Sequence, residues 1–234
     1  MTSNGRTHHA PAARSRRSRK HAALVPRIPP ACVTRLSLYL RELTLLRQQR
    51  TAFVSSRTLA RQLGLSDAQV RRDLSYFGQF GTSGRGYEVP RLHDRLTDIL
   101  GVAGRTWHVG LAGVGNLGSA LLAYRGFRER GFLFRVVVDS DRDKVAREIQ
   151  GHRIQPAAQL TALARQHDIH IGIIAVPMAS AQQVCDQFVA GGVKAIVNFA
   201  PVRLEVPPDV RLGAVDLAVE LEGLAFHLAR QSHR

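Results

Sequence analysis

The stretch from Trp107 to Tyr124 constrains this chain more than any other. Trp107-His108-Val109-Gly110-Leu111-Ala112 has the pattern of a short buried strand and runs directly into Gly113-Val114-Gly115-Asn116-Leu117-Gly118. The helical run Ser119-Ala120-Leu121-Leu122-Ala123-Tyr124 follows at once. A GxGxxG alone says little, but between a strand and a helix its glycines let backbone amides approach a pyrophosphate at the helix amino terminus. A second strand, Phe134-Arg135-Val136-Val137-Val138, ends at Asp139, twenty-one residues beyond Gly118. That is where a carboxylate meets the adenosine ribose in dinucleotide sites. A carboxylate there repels a 2′-phosphate, so the pattern favours NAD(H) over NADP(H), although Arg142 and Lys144 stand close by.

Strands and helices continue to alternate. Ile171-Gly172-Ile173-Ile174-Ala175-Val176 stops at Pro177, a helix covers the stretch from Ala181 to Val189, and Ala195-Ile196-Val197-Asn198-Phe199 follows. Such alternation predicts a parallel, doubly wound sheet of Rossmann-like α/β type with its ligand at the carboxyl ends of the strands. Pro177 and Asn198-Phe199-Ala200-Pro201 then fall in site-facing loops, and plain loop punctuation explains each of them equally well. No apolar run reaches the ~18 residues of a membrane span. Cys32 and Cys185 are the only cysteines, without CxxC or Cys/His clustering, so neither a disulfide framework nor a metal site is expected, and a reducing cytoplasm fits.

Ahead of this domain lies a different pattern. After Pro29-Pro30, Leu36, Tyr39, Leu40, Leu43 and Leu46 recur at helical spacing. A second short helix follows Ser55-Ser56, with Leu59 and Leu63 inward and Gly64 placed to end it. Ser66-Asp67-Ala68-Gln69 reads as a capping box opening a third helix, in which Val70, Leu74 and Phe77 form the apolar stripe. Gln69, Arg71, Arg72 and Ser75 lie largely off that stripe. This is the composition of a recognition helix, since Arg bonds phosphate or guanine and Gln pairs with adenine. A small helical bundle with a solvated basic face is the bland alternative for these residues alone. Gly78 to Tyr87 then packs four glycines and Arg85 into a hairpin-like ribbon, which makes the whole a winged helix. One more helix, with Leu92, Leu96 and Ile99 inward, leads to Gly101-Val102-Ala103-Gly104 as the domain junction.

Charge agrees with this division. The chain has 33 Lys+Arg against 18 Asp+Glu, and residues 1–27 carry basic side chains and no acid. A basic amino-terminal part suits a polyanionic partner. The tail itself lacks apolar periodicity and is expected to be disordered, as a solvated arm or as a nonspecific phosphate contact.

Four blocks in order carry a family resemblance over roughly Ile28 to Gln231: Gln69-Val70-Arg71-Arg72-Asp73-Leu74-Ser75-Tyr76-Phe77-Gly78, the Gly113–Gly118 loop continuing to Tyr124, Asn198-Phe199-Ala200-Pro201, and Val215-Asp216-Leu217 before a terminal helix. The chain resembles the Rex family of redox-sensing transcriptional repressors. The resemblance implies a homodimeric winged-helix repressor that binds operators near genes of respiration and fermentation and is released by NADH. It implies domains at 28–101 (DNA binding) and 105–215 (NAD(H) binding), with a helix in 216–234 exchanged between subunits.

Carried over by position, the resemblance places the pyrophosphate on Gly113, Gly115, Asn116, Leu117 and Gly118 and the ribose on Asp139, with Val114 and Pro177 as further cofactor-site candidates. Tyr124 and Asp216 sit by the nicotinamide. The DNA-facing candidates are Ser56, Arg57, Gln69, Arg71, Arg72, Ser75, Tyr76 and Arg85. The wing departs from many relatives, because Ser83 precedes Gly84 and Arg85 follows it.

Two other readings stand beside this one. An NAD-dependent oxidoreductase with an accessory helical domain needs a positioned acid or base; no His-Asp or Ser-Tyr-Lys arrangement is evident, leaving His170 and His227 as its candidates. The other keeps the repressor but replaces NADH with another adenine nucleotide such as an acyl-coenzyme A, because fold alone does not choose the ligand.

Overall fold

The computed structural model describes residues 28–231, so the basic tail expected over 1–27 lies outside the described residues. The chain divides into two compact units, Met1–Leu92 and His93–Arg234. The division falls inside helix α4 (Val89–Ile99), and the glycine-rich stretch at 101–104 follows the end of that helix.

In the first unit, helix α1 (Pro30–Gln48) opens with a proline, whose missing N–H would have had no intrahelical partner there. It buries Cys32, Leu36, Tyr39, Leu43 and Leu46 on one stripe. After strand β1 (Phe53–Val54), helix α2 (Ser56–Leu63) is capped by Ser55, whose hydroxyl oxygen accepts from the Thr58 N–H at 3.0 Å. Gly64, at φ +66°, ends it in the left-handed conformation. Helix α3 (Asp67–Ser75) starts three residues later, with Ser66 Oγ accepting from the Gln69 N–H at 3.1 Å.

Only that half of the expected capping box forms, because the Gln69 amide turns to Asp73 instead, at 2.8 Å. Val70 and Leu74 are buried as expected, whereas α3 stops at Ser75 and Phe77 lies beyond its end. Strands β2 (Gly81–Thr82) and β3 (Gly86–Glu88) form the antiparallel wing, and β1 pairs with β3.

Asp73 ties α3 to α1. Its carboxylate accepts from the Arg35 guanidinium at 2.6 and 2.8 Å and from the Tyr39 hydroxyl at 2.8 Å. Burial pushes this carboxyl up, but the bonds from Arg35, Tyr39 and Gln69 outweigh it and hold it below the usual carboxylate range. A depressed folded value stabilises above the unfolded value near ~4 and is lost as pH falls through the folded value. The helical signal of the native chain is therefore expected to resist urea progressively less as the pH drops from about 5 to about 3. In Asp73→Asn that acid-dependent loss should shrink; an unchanged slope in a folded variant would count against the assignment.

The second unit is built on six strands: β4 (Trp107–Ala112), β5 (Phe132–Asp139), β8 (Gln155–Pro156), β9 (Ile171–Ile174), β10 (Ala195–Asn198) and β11 (Arg211–Ala214). A small antiparallel hairpin, β6 (Glu148–Ile149) with β7 (His152–Arg153), precedes β8. The sheet order is β8-β5-β4-β9-β10-β11, with every neighbouring pair parallel.

From the central β4 the chain steps outward to β5 and β8, then returns to β9 on the other side of β4. The reversal opens a crevice at the carboxyl ends of the strands, the place where such sheets bind ligands. Helices α7 (Leu160–Gln166) and α8 (Met178–Ala190) supply Leu160, Ala164, Cys185 and Phe188 to a core with Val136, Val138, Ile174 and Ile196. Val109, Leu111, Val137 and Ile173 belong to a second cluster with Val114 and Leu122. Helix α5 (Asn116–Ala123) and the single-turn α6 (Gly126–Glu129) connect β4 to β5.

The last helix, α9 (Leu217–Gln231), behaves differently. Leu217, Leu221, Leu224 and Leu228 fall on one stripe and are 61–68% exposed. No helix among the described residues is long and apolar enough to cross a membrane.

Candidate functional site

Strand β4 delivers the glycine loop to the crevice. Gly113 takes φ +94°, and a Cβ there would strike the Ala175 carbonyl of the adjoining segment. Gly118 lies in the first turn of α5, where a Cβ would overlap the Gly113 carbonyl oxygen. These two glycines let the helix start against the end of the strand. At Gly115 an added Cβ would meet nothing within 4 Å. Gly115 also precedes α5 with no side chain capping it, so the first amides of the helix have no side-chain oxygen against them. Exposed helix amides beside an open backbone position form a cradle suited to a phosphate group.

The cavity over this cradle is about 710 Å³. Gly113, Gly115, Asn116, Leu117, Asp139 and Pro177 line it together. Val114 and Gly118 do not line it. Val114 is buried and gives its backbone N–H to Asp139, while Gly118 acts through its lack of a side chain.

Asp139 ends β5 almost fully buried. One carboxylate oxygen accepts from the Val114 N–H at 2.7 Å and the other from the Asp141 N–H at 2.8 Å. Lys144 Nζ lies 3.4 Å from Asp139 and 3.5 Å from Asp141. Burial pushes the Asp139 carboxyl up, but the Asp141 and Val114 amides and Lys144 hold it below the ordinary range. Asp139 thus braces the glycine loop against the neighbouring strand and presents a charged carboxylate to the cavity.

The sequence reading missed Ser180, Gln183 and Gln187, which also line the cavity. Their signal was present: Pro177 is the N-cap of α8, and these three polar residues recur at helical spacing behind it.

Two expected site residues stand elsewhere in the protomer. Tyr124 ends α5, is 54% exposed, and lines a separate cavity with Phe127, Phe134 and His152. Asp216 precedes α9 and accepts from the Ala218 N–H at 2.9 Å, capping that exposed helix. The histidines considered for catalysis are also outside the dinucleotide cavity. His170 Nδ1 accepts from the His108 backbone N–H at 2.9 Å, and His227 lies on α9 against Phe226.

In the first unit Arg57, Arg71, Arg72, Ser75 and Arg85 are exposed, with Ser56, Gln69 and Tyr76 partly so. Arg71 bonds Asp67 at 2.7 Å and Ser56 at 3.2 Å, bridging the starts of α3 and α2. Ser75 Oγ donates back to the Arg72 carbonyl at 2.7 Å. Arg85 of the wing lays its guanidinium over the Phe53 ring, 4.3 Å from the centroid, and the residue as a whole stays exposed.

A winged helix and a glycine-cradled crevice in one chain define a nucleotide-responsive DNA-binding regulator as the class. Comparison agrees on both halves: residues 27–75 match the family model described as a putative DNA-binding protein N-terminus, and residues 105–202 match that of a CoA binding domain. The redox-sensing transcriptional repressor Rex of Carboxydothermus hydrogenoformans is 48% identical over 87% of this chain and 98% of its own. That of Streptomyces coelicolor is 42% identical over 96% and 83%.

Among solved structures, RSP in complex with beta-NAD+ and operator DNA superposes with a TM-score of 0.82 at 34% identity, covering 88% of this chain and 94% of that one. RSP in complex with beta-NADH gives 0.80 at 32% identity, over 88% and 96%. The chain belongs to the Rex family of redox-sensing transcriptional repressors.

Proposed function

We propose that this protein is a homodimeric repressor that holds operator DNA through α3 and the wing and releases it when NADH fills the crevice. The observation that carries the reading is the glycine cradle: Gly113 and Gly118 admit no side chain, and Gly115 opens onto the same cavity as Asp139. Amides at the start of α5 bind the pyrophosphate, Asp139 takes the ribose, and Pro177 closes the wall. The bound dinucleotide supplies the redox signal, since NAD and NADH differ by a hydride and a ring charge. The glycine loop and Asp139 serve both forms alike.

Discrimination is assigned to Tyr124 and Asp216, which stay exposed in the single protomer and meet the nicotinamide once two copies assemble. The leucine stripe of α9 supports that assembly. The domains follow as 28–101 for DNA, 105–215 for the dinucleotide and 216–234 for exchange between copies, with genes of respiration and fermentation as targets and the cytoplasm as its place.

The response is linkage between two sites on one two-state dimer: NADH weakens operator binding, and operator DNA weakens NADH binding by the same factor, typically ~5- to 150-fold. Paired recognition helices read half-sites about one helical turn apart, so a changed dimer loses the spacing match. The test is a labelled palindromic operator titrated with NADH and with NAD at fixed salt. Release by NADH and much less by NAD supports the reading. Binding indifferent to both discards the NADH trigger, and turnover of NADH with a carbonyl substrate would favour an oxidoreductase instead.

A further inference from the structure

Asp73 stands one helical turn after Gln69 on α3 and is only 1% exposed. Its Oδ2 accepts from Arg35 Nε–H at 2.6 Å and from the Tyr39 hydroxyl at 2.8 Å. Its Oδ1 accepts from Arg35 Nη2–H and from Gln69 Nε2–H, both at 2.8 Å. An ionised carboxylate offers about four acceptor sites and no donor. All four are used here, which has a direct effect on the glutamine. Its amide must turn the nitrogen toward Asp73, because a flip would set Oε1 against a carboxylate oxygen.

A glutamine free in a groove has two amide orientations and adapts to the base it meets. Gln69 keeps one. It sits in the first turn of α3, where a recognition helix contacts base edges, and is partly exposed. With the nitrogen anchored, Oε1 and the second N–H remain as an acceptor and a donor in fixed positions. Adenine offers the complement, an N6–H donor beside the N7 acceptor, whereas guanine offers two acceptors and opposes Oε1.

We propose that Asp73, held from behind by Arg35 and Tyr39 of α1, is a specificity-positioning residue that locks the Gln69 amide so that α3 selects adenine, in one strand orientation, at a single position of each half-site. This rests on the reading of α3 as the recognition helix. The Arg35–Asp73 pair therefore does more than join two helices: it decides which base the neighbouring side chain accepts.

The experiment uses the full chain and an operator selected by the wild-type protein from random duplex DNA. Each half-site position is then replaced in turn by the other three base pairs, and affinities are measured at one salt concentration. Gln69→Leu is expected to lose preference at one A·T position, by roughly 5- to 150-fold, the range of a bidentate side-chain contact. Asp73→Asn, which keeps the shape but can both donate and accept, is expected to lose most of the preference at that same position and leave the others near wild type. A purely structural role would weaken all positions alike.

If Asp73→Asn fails to fold, the pair Arg35→Gln with Asp73→Asn removes both charges together and leaves no unpaired buried cation, with the same outcome expected. A folded Asp73 variant that keeps the wild-type preference overturns the proposal, as does Gln69→Leu with every preference intact. Absence of any sequence preference in the wild-type chain would instead overturn the recognition-helix reading itself.

Discussion

Gly118→Val is expected to abolish dinucleotide binding, with affinity for NADH falling more than about 100-fold, since a displaced cradle forfeits several charge-assisted bonds of ~1.5–3 kcal/mol each. The cause is backbone against backbone. Any Cβ at Gly118 overlaps the Gly113 carbonyl oxygen, which belongs to the loop and cannot rotate away as a side chain would. Either α5 shifts off β4 or the loop opens, and in both cases the helix amides leave the phosphate position. Isothermal titration calorimetry with NADH gives the loss directly. The operator complex of the same variant should form normally, because α1 to α3 are untouched, and should no longer respond to NADH. Gly115→Ala separates sterics toward ligand from sterics toward fold: the added methyl meets no protein atom, so binding weakens while thermal stability stays near wild type. Retained NADH affinity in a folded Gly118→Val would remove the loop from the site.

Removal of residues 217–234 is expected to leave a monomer without operator affinity. Leu217, Leu221, Leu224 and Leu228 are all more than half exposed in the single chain. Burying a leucine is worth ~1.5–3 kcal/mol, and since about two-thirds of each of these side chains is still exposed, four from each of two copies contribute on the order of 10 kcal/mol. That is comparable to the ~4–15 kcal/mol lost in translational and rotational freedom on association, so without the helix no stable dimer is expected. Because no described residue of α9 belongs to a core cluster of its own protomer, the truncated chain should lose only the ellipticity of α9 itself and keep its melting temperature at low protein concentration. Light scattering would show the change of mass, and a truncated chain that remained dimeric would place the interface elsewhere.

Much of this architecture was legible in the residues, for reasons that differ from element to element. Strand β4 was readable to its ends because a buried run meets a glycine that terminates it. The exposed leucines of α9 were readable as a stripe, though not as uncovered, since periodicity gives a face but not its occupant. Strands β8 and β11 carried no signal, being short and recognisable only from the pairing of their backbones.

Phe77 extended the α3 pattern on paper, yet helix geometry ended at Ser75 and left it outside. The Gln69 side chain illustrates competition: its Oε1 could accept from the Ser66 N–H or its Nε2 donate to Asp73, and donation to an ionised carboxylate is the stronger bond. Arg35 and Tyr39 lie more than thirty positions before Asp73 in the chain, so no local pattern could reveal the network that joins them. Ser180, Gln183 and Gln187 share a face by periodicity, but only the packing of α8 on the sheet decides that this face borders the crevice.

The twofold engagement of Asp139 limits how this sensor can diverge. A lineage, or an engineer, seeking a response to a 2′-phosphorylated cofactor would ordinarily neutralise the acidic residue at the end of the second strand. Here that exchange also releases the Val114 and Asp141 amides, so the loop loses its brace in the same step that would admit the new ligand. A route that spares the loop keeps Asp139 and first recruits Lys144, already 3.4 Å from it, before the carboxylate is touched. With the ribose assigned to Asp139 as proposed, ligand choice is mechanically coupled to loop integrity, which slows its drift.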